Sequence, residues 1–301
     1  MTAALGWVGA RARWILLIGA FAGLALPGAA SFLRPALPFF VAMVYALAML
    51  RIDPVAVLRG FARPAHLARL TALVLAMLVV SPVVAFFAAR ALGLGPEFEA
   101  ALLYTLAAPP IASSAAMCLI VGFDGRRALE LTVLSSLVMP VTGPALAGLL
   151  LGDALALDPL ALGLRMAAMI FGGFAAAMIL RRIMGPARIA ANAPQLDGLA
   201  ALGFLLFIMP LFDGVGPSIV ALPGLSLAFL ALSALLVLGA IALGLRLAKT
   251  REAGGALGAV WGTRSVAIYL AALPPDPLFT LYVALYQLPM AAIAMVFRRR
   301  G

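Results

Sequence analysis

Arg264 stands in the stretch GAVWGTRSVAIYLAAL (258–273), with no acidic residue within ten positions on either side. A guanidinium is permanently charged and carries five donors in a fixed fork. Set in an apolar run, it calls for carbonyls at a helix break, a water-filled cavity, a buried acid or an anionic ligand. A second stretch with chemical potential is APPIASSAA (108–116). Pro109 and Pro110 withhold two backbone N–H donors and free carbonyls upstream. In hydrocarbon those carbonyls must be met by protein, water, ion or ligand. Ser113 and Ser114 follow and can both donate and accept. Each stretch has a plainer reading: a proline kink patched by local serines, and a fixed ion pair inside a helix bundle.

The remaining reactive residues are few. Glu130 lies three and four positions after Arg127 and Arg126, which predicts an ion pair with those arginines at a helix start. It lies about 200° around the helix from Thr132, whereas Ala128, Thr132 and Ser135 share a face. A structural role and a gating or proton-coupling role both stay open for it. Cys118 is the one cysteine, which excludes an intramolecular disulfide and a cysteine-rich metal site. His66 is the one histidine and falls in a basic connection, so a histidine-ligated metal or a histidine-based triad within the membrane is unavailable. No metal site and no cofactor is expected.

Those residues sit in a chain of 301 residues that is 65% hydrophobic and 11% charged. Soluble domains average roughly 45–50% apolar and 25% charged residues. There is too little polar surface here for a water-facing globule, and the composition predicts an all-α polytopic membrane protein. The net charge of +10 raises nucleic acid as a partner, but the basic residues come in small clusters between apolar runs. No basic stripe is interleaved with aromatics, so nucleic acid is excluded and the bilayer is the expected partner surface.

Apolar stretches of spanning length fall at 14–33, 36–51, 70–92, 98–122, 127–151, 160–180, 197–216, 220–245, 253–273 and 278–297. The first is read as a span rather than a cleaved leader, because the topology needs it. Alternate connections then separate the basic residues, with Arg264 counted in neither set. One set holds seventeen, among them Arg11, Arg59, Arg126, Arg181, Lys249 and Arg298; the other holds only Arg34, Arg90 and Arg165, beside Glu97, Glu99, Asp153, Asp158, Asp213 and Asp276. By the positive-inside rule both termini face the cytoplasm, and the expected location is the inner (cytoplasmic) membrane.

Ten segments divide into repeats over 1–151 and 152–301, five helices each, and an odd number per half makes the repeat inverted. The fourth segment of the first half is broken at APPIASSAA and the fourth of the second half at GTRS (262–265). Interrupted helices at matching places are the sequence pointer to a transporter's binding site. Arg264 lies about eleven residues into its segment, roughly 16 Å deep at the helical rise. That is close to the middle of a ~30 Å hydrocarbon core.

PALPFFVAMVYALAMLRID (35–53), LVVSPVVAFF (78–87), APPIASSAAMCLIVGFDGRRALELTVLSSLVMPVTGP (108–144) and WGTRSVAIYLAAL (261–273) resemble the bile acid:sodium symporter family, and the likeness runs over nearly the whole chain. The resemblance implies a panel domain of helices 1, 2, 6 and 7 and a core domain of helices 3–5 and 8–10. It implies that helices 4 and 9 are broken and cross beside the substrate site, and that the cargo is an organic anion moved with sodium. The residues that fall on the family's sodium-site positions depart from it. The Ser-Asn pair of the fourth helix falls on Ser114 and Ala115. Two hydroxyl ligands of the fifth fall on Ala128 and Thr132. The ninth-helix glutamate and glutamine fall on Val260 and Arg264, and a third-helix glutamine falls on Met77.

Sodium needs several oxygen ligands, by analogy with other hard cations, and most of those oxygens are missing. The expectation is therefore a secondary transporter of a small organic anion, working by alternating access and not sodium-coupled at these sites. Arg264 would supply the positive charge. It would bind freed carbonyls of helix 4 and present donors to a carboxylate. Substrate contact is expected from Arg264, Ser265, Thr263, Ser113, Ser114, Pro109 and Pro110, in a chain that acts as a monomer.

The rival expectations are a sodium-coupled symporter using backbone and hydroxyl ligands, an intramembrane enzyme, and a non-transporting paralogue. An enzyme would need a nucleophile–base pair, paired carboxylates or metal ligands at membrane depth. Only Cys118, Glu130 and the helix-end Asp197 approach the bilayer, so no enzyme is expected. A related arsenite exporter family pairs a fourth-helix cysteine with a ninth-helix acid, but position 260 is valine.

Overall fold

The computed structural model describes residues 2–296 except 51, 53 and 156. Among them the chain is helical throughout, and one isolated antiparallel bridge, between Pro110 and Arg264, is the only β pairing. The helices are α1 (Thr2–Ala10), α2 (Ala12–Ala25), α3 (Pro27–Leu50), α4 (Pro54–Phe61), α5 (Pro64–Ala91), α6 (Pro96–Ala107), α7 (Ser114–Val121), α8 (Gly125–Leu151), α9 (Pro159–Met184), α10 (Pro186–Ala191), α11 (Ala193–Phe212), α12 (Val215–Ala221), α13 (Pro223–Leu247), α14 (Arg251–Gly262), α15 (Ala267–Ala272) and α16 (Pro277–Val296). Many begin at proline, whose missing N–H is no loss in a helix's first turn.

Six of them, α3, α5, α8, α9, α11 and α13, are long and apolar enough to cross a membrane. This is a multi-pass membrane protein. The described apolar stretch of α16, Pro277–Ile293, is shorter. The sequence segments at 98–122 and 253–273 are each divided, into α6 with α7 and α14 with α15. The 14–33 segment divides at Leu26, ahead of Pro27. Where the sequence suggests a connection near Arg34, a 3-10 turn at Arg34–Ala36 carries helical structure onward to Leu50. The first two divisions fall where the sequence predicts breaks, with Pro109 and Pro110 stopping α6, and Pro27 restarts the chain after Leu26.

The chain forms two compact units, residues 1–52, 167–223 and 275–284 in one, and 53–166, 224–274 and 285–301 in the other. In the first, α1 and α2 lie against α11 at glycine contacts. A side chain on Gly198 would collide with the Leu5 carbonyl, and one on Gly23 would come within 2.6 Å of the Met209 carbonyl. Arg34 donates to the Pro210 carbonyl (3.4 Å) and the Thr280 hydroxyl (3.1 Å), and Ser31 donates to Asp213 (2.6 Å). Arg34 thus serves this unit's internal packing.

The second unit holds both broken segments and Arg264. Both α5 and α13 contain a π-helical turn, Ala76–Val80 and Leu235–Gly239, each starting twelve residues after the helix's first proline, Pro64 or Pro223. Such turns add one residue to a helix and locally loosen its ladder. Helix α14 packs on α13 through Gly254, Gly258 and Gly262, spaced by four and so on one face. Cβ atoms built there would approach the Gly244 carbonyl, the Ala240 carbonyl and the Val237 carbonyl to 2.3, 2.5 and 2.6 Å. In lipid, where helix association relies on close van der Waals fit, small residues at every fourth position let backbones touch. This contact fixes where α14 ends, and so where Arg264 stands.

Candidate functional site: the crossed breaks

Ala108 is extended (φ −72°, ψ 150°), as expected for a residue before proline. Thr263, which follows α14, is extended too (φ −106°, ψ 96°). The two short extended stretches run antiparallel, with Ile111 N donating to the Thr263 carbonyl (3.0 Å) and Ser265 N to the Pro109 carbonyl (2.8 Å). Pro110 and Arg264 face each other between those bonds, in the slot where neither residue's N–H is used by the bridge. Proline, which has no N–H to offer, fits there without loss. Arg264 does have one, and it turns away from the bridge to the Tyr286 hydroxyl (3.1 Å), which in turn donates to the Gly262 carbonyl. A single phenol on α16 thereby satisfies two backbone groups that the break in the ninth segment leaves open.

The side chain of Arg264 is fully buried. Its Nε donates to the Trp261 carbonyl (2.8 Å) and its Nη1 to the Ala108 carbonyl (2.9 Å), one from each broken helix. Nη2 is buried with no hydrogen-bond partner among the described residues. The ion pairs among the described residues join Glu130 to His66 and Arg126, and Arg90 to Glu99, leaving Arg264 without an acid. A buried charge with no ionic partner is costly. Two carbonyl dipoles offset part of that cost and leave Nη2 without a partner among the described residues. Among the described residues no three His, Cys, Asp or Glu side chains come together as a metal site.

The hydroxyls near the crossing are turned to their own backbones. Ser114 Oγ donates to the Ile111 carbonyl (2.7 Å) and lies 3.4 Å from Thr263 Oγ1, which donates to the Ala259 carbonyl (2.7 Å). Thr132 Oγ1 donates to the Ala128 carbonyl (2.7 Å). Ala128, Val260 and Met77 are buried apolar side chains, Met77 in the π turn of α5, and Ala115 is half-buried on α7. The structure therefore brings together Pro109, Pro110, Ser114, Thr263, Arg264 and Ser265. Ser113 caps the start of α7 through its backbone only, without a side-chain hydrogen bond. Cys118 is buried and free.

Glu130 pairs with Arg126 (3.1 Å), as its spacing predicts, but its second partner is His66 (2.9 Å) and not Arg127. His66 lies in the first turn of α5 and not in a connection, because Pro64 starts that helix two residues earlier. The Arg127 side chain is not among the hydrogen-bonded partners of Glu130; its N–H is instead capped by Asp124 (3.0 Å). Glu130 thus ties α8 to α5.

Three contributors escaped the sequence: Tyr286, Tyr269 and the Trp261 carbonyl. Tyr269 stacks obliquely on Tyr104, with centroids 4.7 Å apart, and its buried hydroxyl has no partner among the described residues. The available signal was a phenol inside an apolar helix, since a buried hydroxyl usually finds a partner. That signal does not say which partner. An apolar groove of about 450 Å³, lined among others by Leu106, Leu236, Ala240 and Trp261, adjoins the same half-helices. In comparisons with known proteins, no family model and no curated protein matches this chain.

Proposed function

We propose that this protein is a secondary transporter of a small organic anion, working by alternating access without sodium at the crossing. One observation carries the reading. A fully buried guanidinium, lacking any acidic partner among the described residues, binds a carbonyl of each broken helix and keeps Nη2 unpartnered. A fixed ion pair, the plainer reading of Arg264, would have placed an acid there. A cation at crossed helix breaks orders freed carbonyls and attracts an anion; Arg264, a cation tethered to the chain, does the first through two hydrogen bonds and is poised for the second.

The same proposal takes the chain as ten spans in two inverted repeats, 1–151 and 152–301, with the fourth and ninth broken. Support comes from the two twelve-residue half-helices α6 and α14, which each end at a break, and from the matched π turns of α5 and α13. The division of the chain into residues 1–52 with 167–223 and 53–166 with 224–274 supports the panel and core grouping that the resemblance to the bile acid:sodium symporters implies, except that residues 275–284, the start of the tenth span, fall with the first unit. The bulk of the arginines then lie on the cytoplasmic side of an inner membrane. Catalysis and nucleic-acid binding form no part of the proposal.

The test is uptake of radiolabelled small carboxylates into proteoliposomes, with sodium outside and then with choline in its place. Uptake is expected at the same rate in both. A steep dependence on sodium would instead favour a symporter that builds its ion site from backbone carbonyls and the hydroxyls of Ser114, Thr132 and Thr263.

A further inference from the structure

Resting on that reading, the geometry at Arg264 points to a narrower substrate class: singly charged anions held through one acceptor atom, with dianions and phosphate excluded. A guanidinium grips a carboxylate or phosphate with two parallel N–H groups, along either its Nε–Nη2 edge or its Nη1–Nη2 edge. Both edges share Nη2. On the first, Nε is bound to the Trp261 carbonyl; on the second, Nη1 is bound to the Ala108 carbonyl. Each edge therefore has a carbonyl oxygen, with its partial negative charge, bound to its other nitrogen: Nε has no second N–H to give, and Nη1 keeps only one. A second anionic oxygen brought alongside would be set close to one of those carbonyls. What remains is the amino group Nη2, buried and unpartnered among the described residues, which suits one oxygen of a carboxylate presented end-on.

Charge counting leads to the same class independently. Arg264 is the one buried cationic side chain among the described residues; the other buried charged residue is the acid Glu130. A monoanion at Nη2 leaves the site neutral. A dianion would leave a whole uncompensated negative charge among apolar side chains and inward-facing carbonyls, where unpaired charge is strongly disfavoured. The complete burial of the guanidinium adds a size limit, since the group that reaches Nη2 must be compact.

Purified protein in alkaline sodium-free detergent buffer, where phosphate is a dianion, would be heated with formate, acetate, propionate or lactate on one side and oxalate, succinate or inorganic phosphate on the other. At least one monocarboxylate is expected to raise the unfolding midpoint. The dianions and phosphate are expected to need concentrations at least about tenfold higher for the same rise, a factor of ten being 1.4 kcal/mol of binding. Succinate, oxalate or phosphate acting at less than about ten times the concentration of the most effective monocarboxylate overturns this inference. If that stabilisation disappears in Arg264→Gln, the anion-transporter reading survives it. If no anion of either group stabilises the wild-type protein, the reading and the inference fall together. Should Arg264→Gln fail to fold, the wild-type comparison alone decides the monoanion claim, and Arg264→Lys, which keeps the charge, serves as the variant.

Discussion

Gly258→Leu is expected to remove most of the folded protein from the membrane. A Cβ at position 258 lies 2.5 Å from both the Ala240 carbonyl oxygen and the Ile241 Cα, which are backbone atoms of a neighbouring helix and not side-chain tips that could swing aside. Overpacking a core by side-chain atoms alone costs typically 1–3 kcal/mol. Here the helices α13 and α14 must separate, and Gly254 and Gly262 lose their contacts with them. The shift reaches Arg264 two residues beyond the end of α14, so the antiparallel bridge with residues 109–111 breaks as well. Gly224→Leu, in the same helix pair but with nothing near its Cβ, is expected to be tolerated. Size-exclusion profiles of the two variants in detergent make the comparison; equal yields of monodisperse protein would show that the glycine face does not set the position of α14.

The second large effect is expected from Tyr286→Phe, which deletes one oxygen. That oxygen accepts from Arg264 N and donates to the Gly262 carbonyl, and all three groups are buried. Removing a shared partner leaves a donor and an acceptor unsatisfied, each worth about 1–3 kcal/mol when buried. The ring itself stays, so no cavity of consequence is made. The thermal midpoint should therefore drop clearly and anion uptake should fall with it, as the break loses the anchor that holds Arg264 in the bridge. A midpoint equal to the wild type would mean that water replaces the hydroxyl and that the crossing is wetter than its burial implies.

The main features of this site were legible before any coordinates because few forces compete in lipid. An unpaired arginine and two consecutive prolines are each costly or diagnostic in hydrocarbon. Each marks the place where α6, α14 and Arg264 meet. The Arg126–Glu130 pair was legible for a similar reason, being a local i, i+4 spacing. What the sequence did not carry is long-range pairing. Nothing local joins Tyr286 to a backbone amide 22 residues earlier, or His66 to Glu130 64 residues later. The π turns were hidden because a one-residue insertion leaves hydropathy unchanged. The helical run through Arg34 was hidden because a 3-10 turn and a loop have the same composition over three residues.

The proposed anion transport turns on the charge at position 264. The most direct measurement is anion uptake by Arg264→Gln and by the wild-type protein, side by side in choline medium, with both variants shown to be folded. Glutamine keeps a hydrogen-bonding amide at that position and removes the charge. Uptake by the wild type and its loss in Arg264→Gln is the expected result. Undiminished uptake by Arg264→Gln without sodium would contradict it, and would leave the guanidinium as a purely structural tie between the two broken helices.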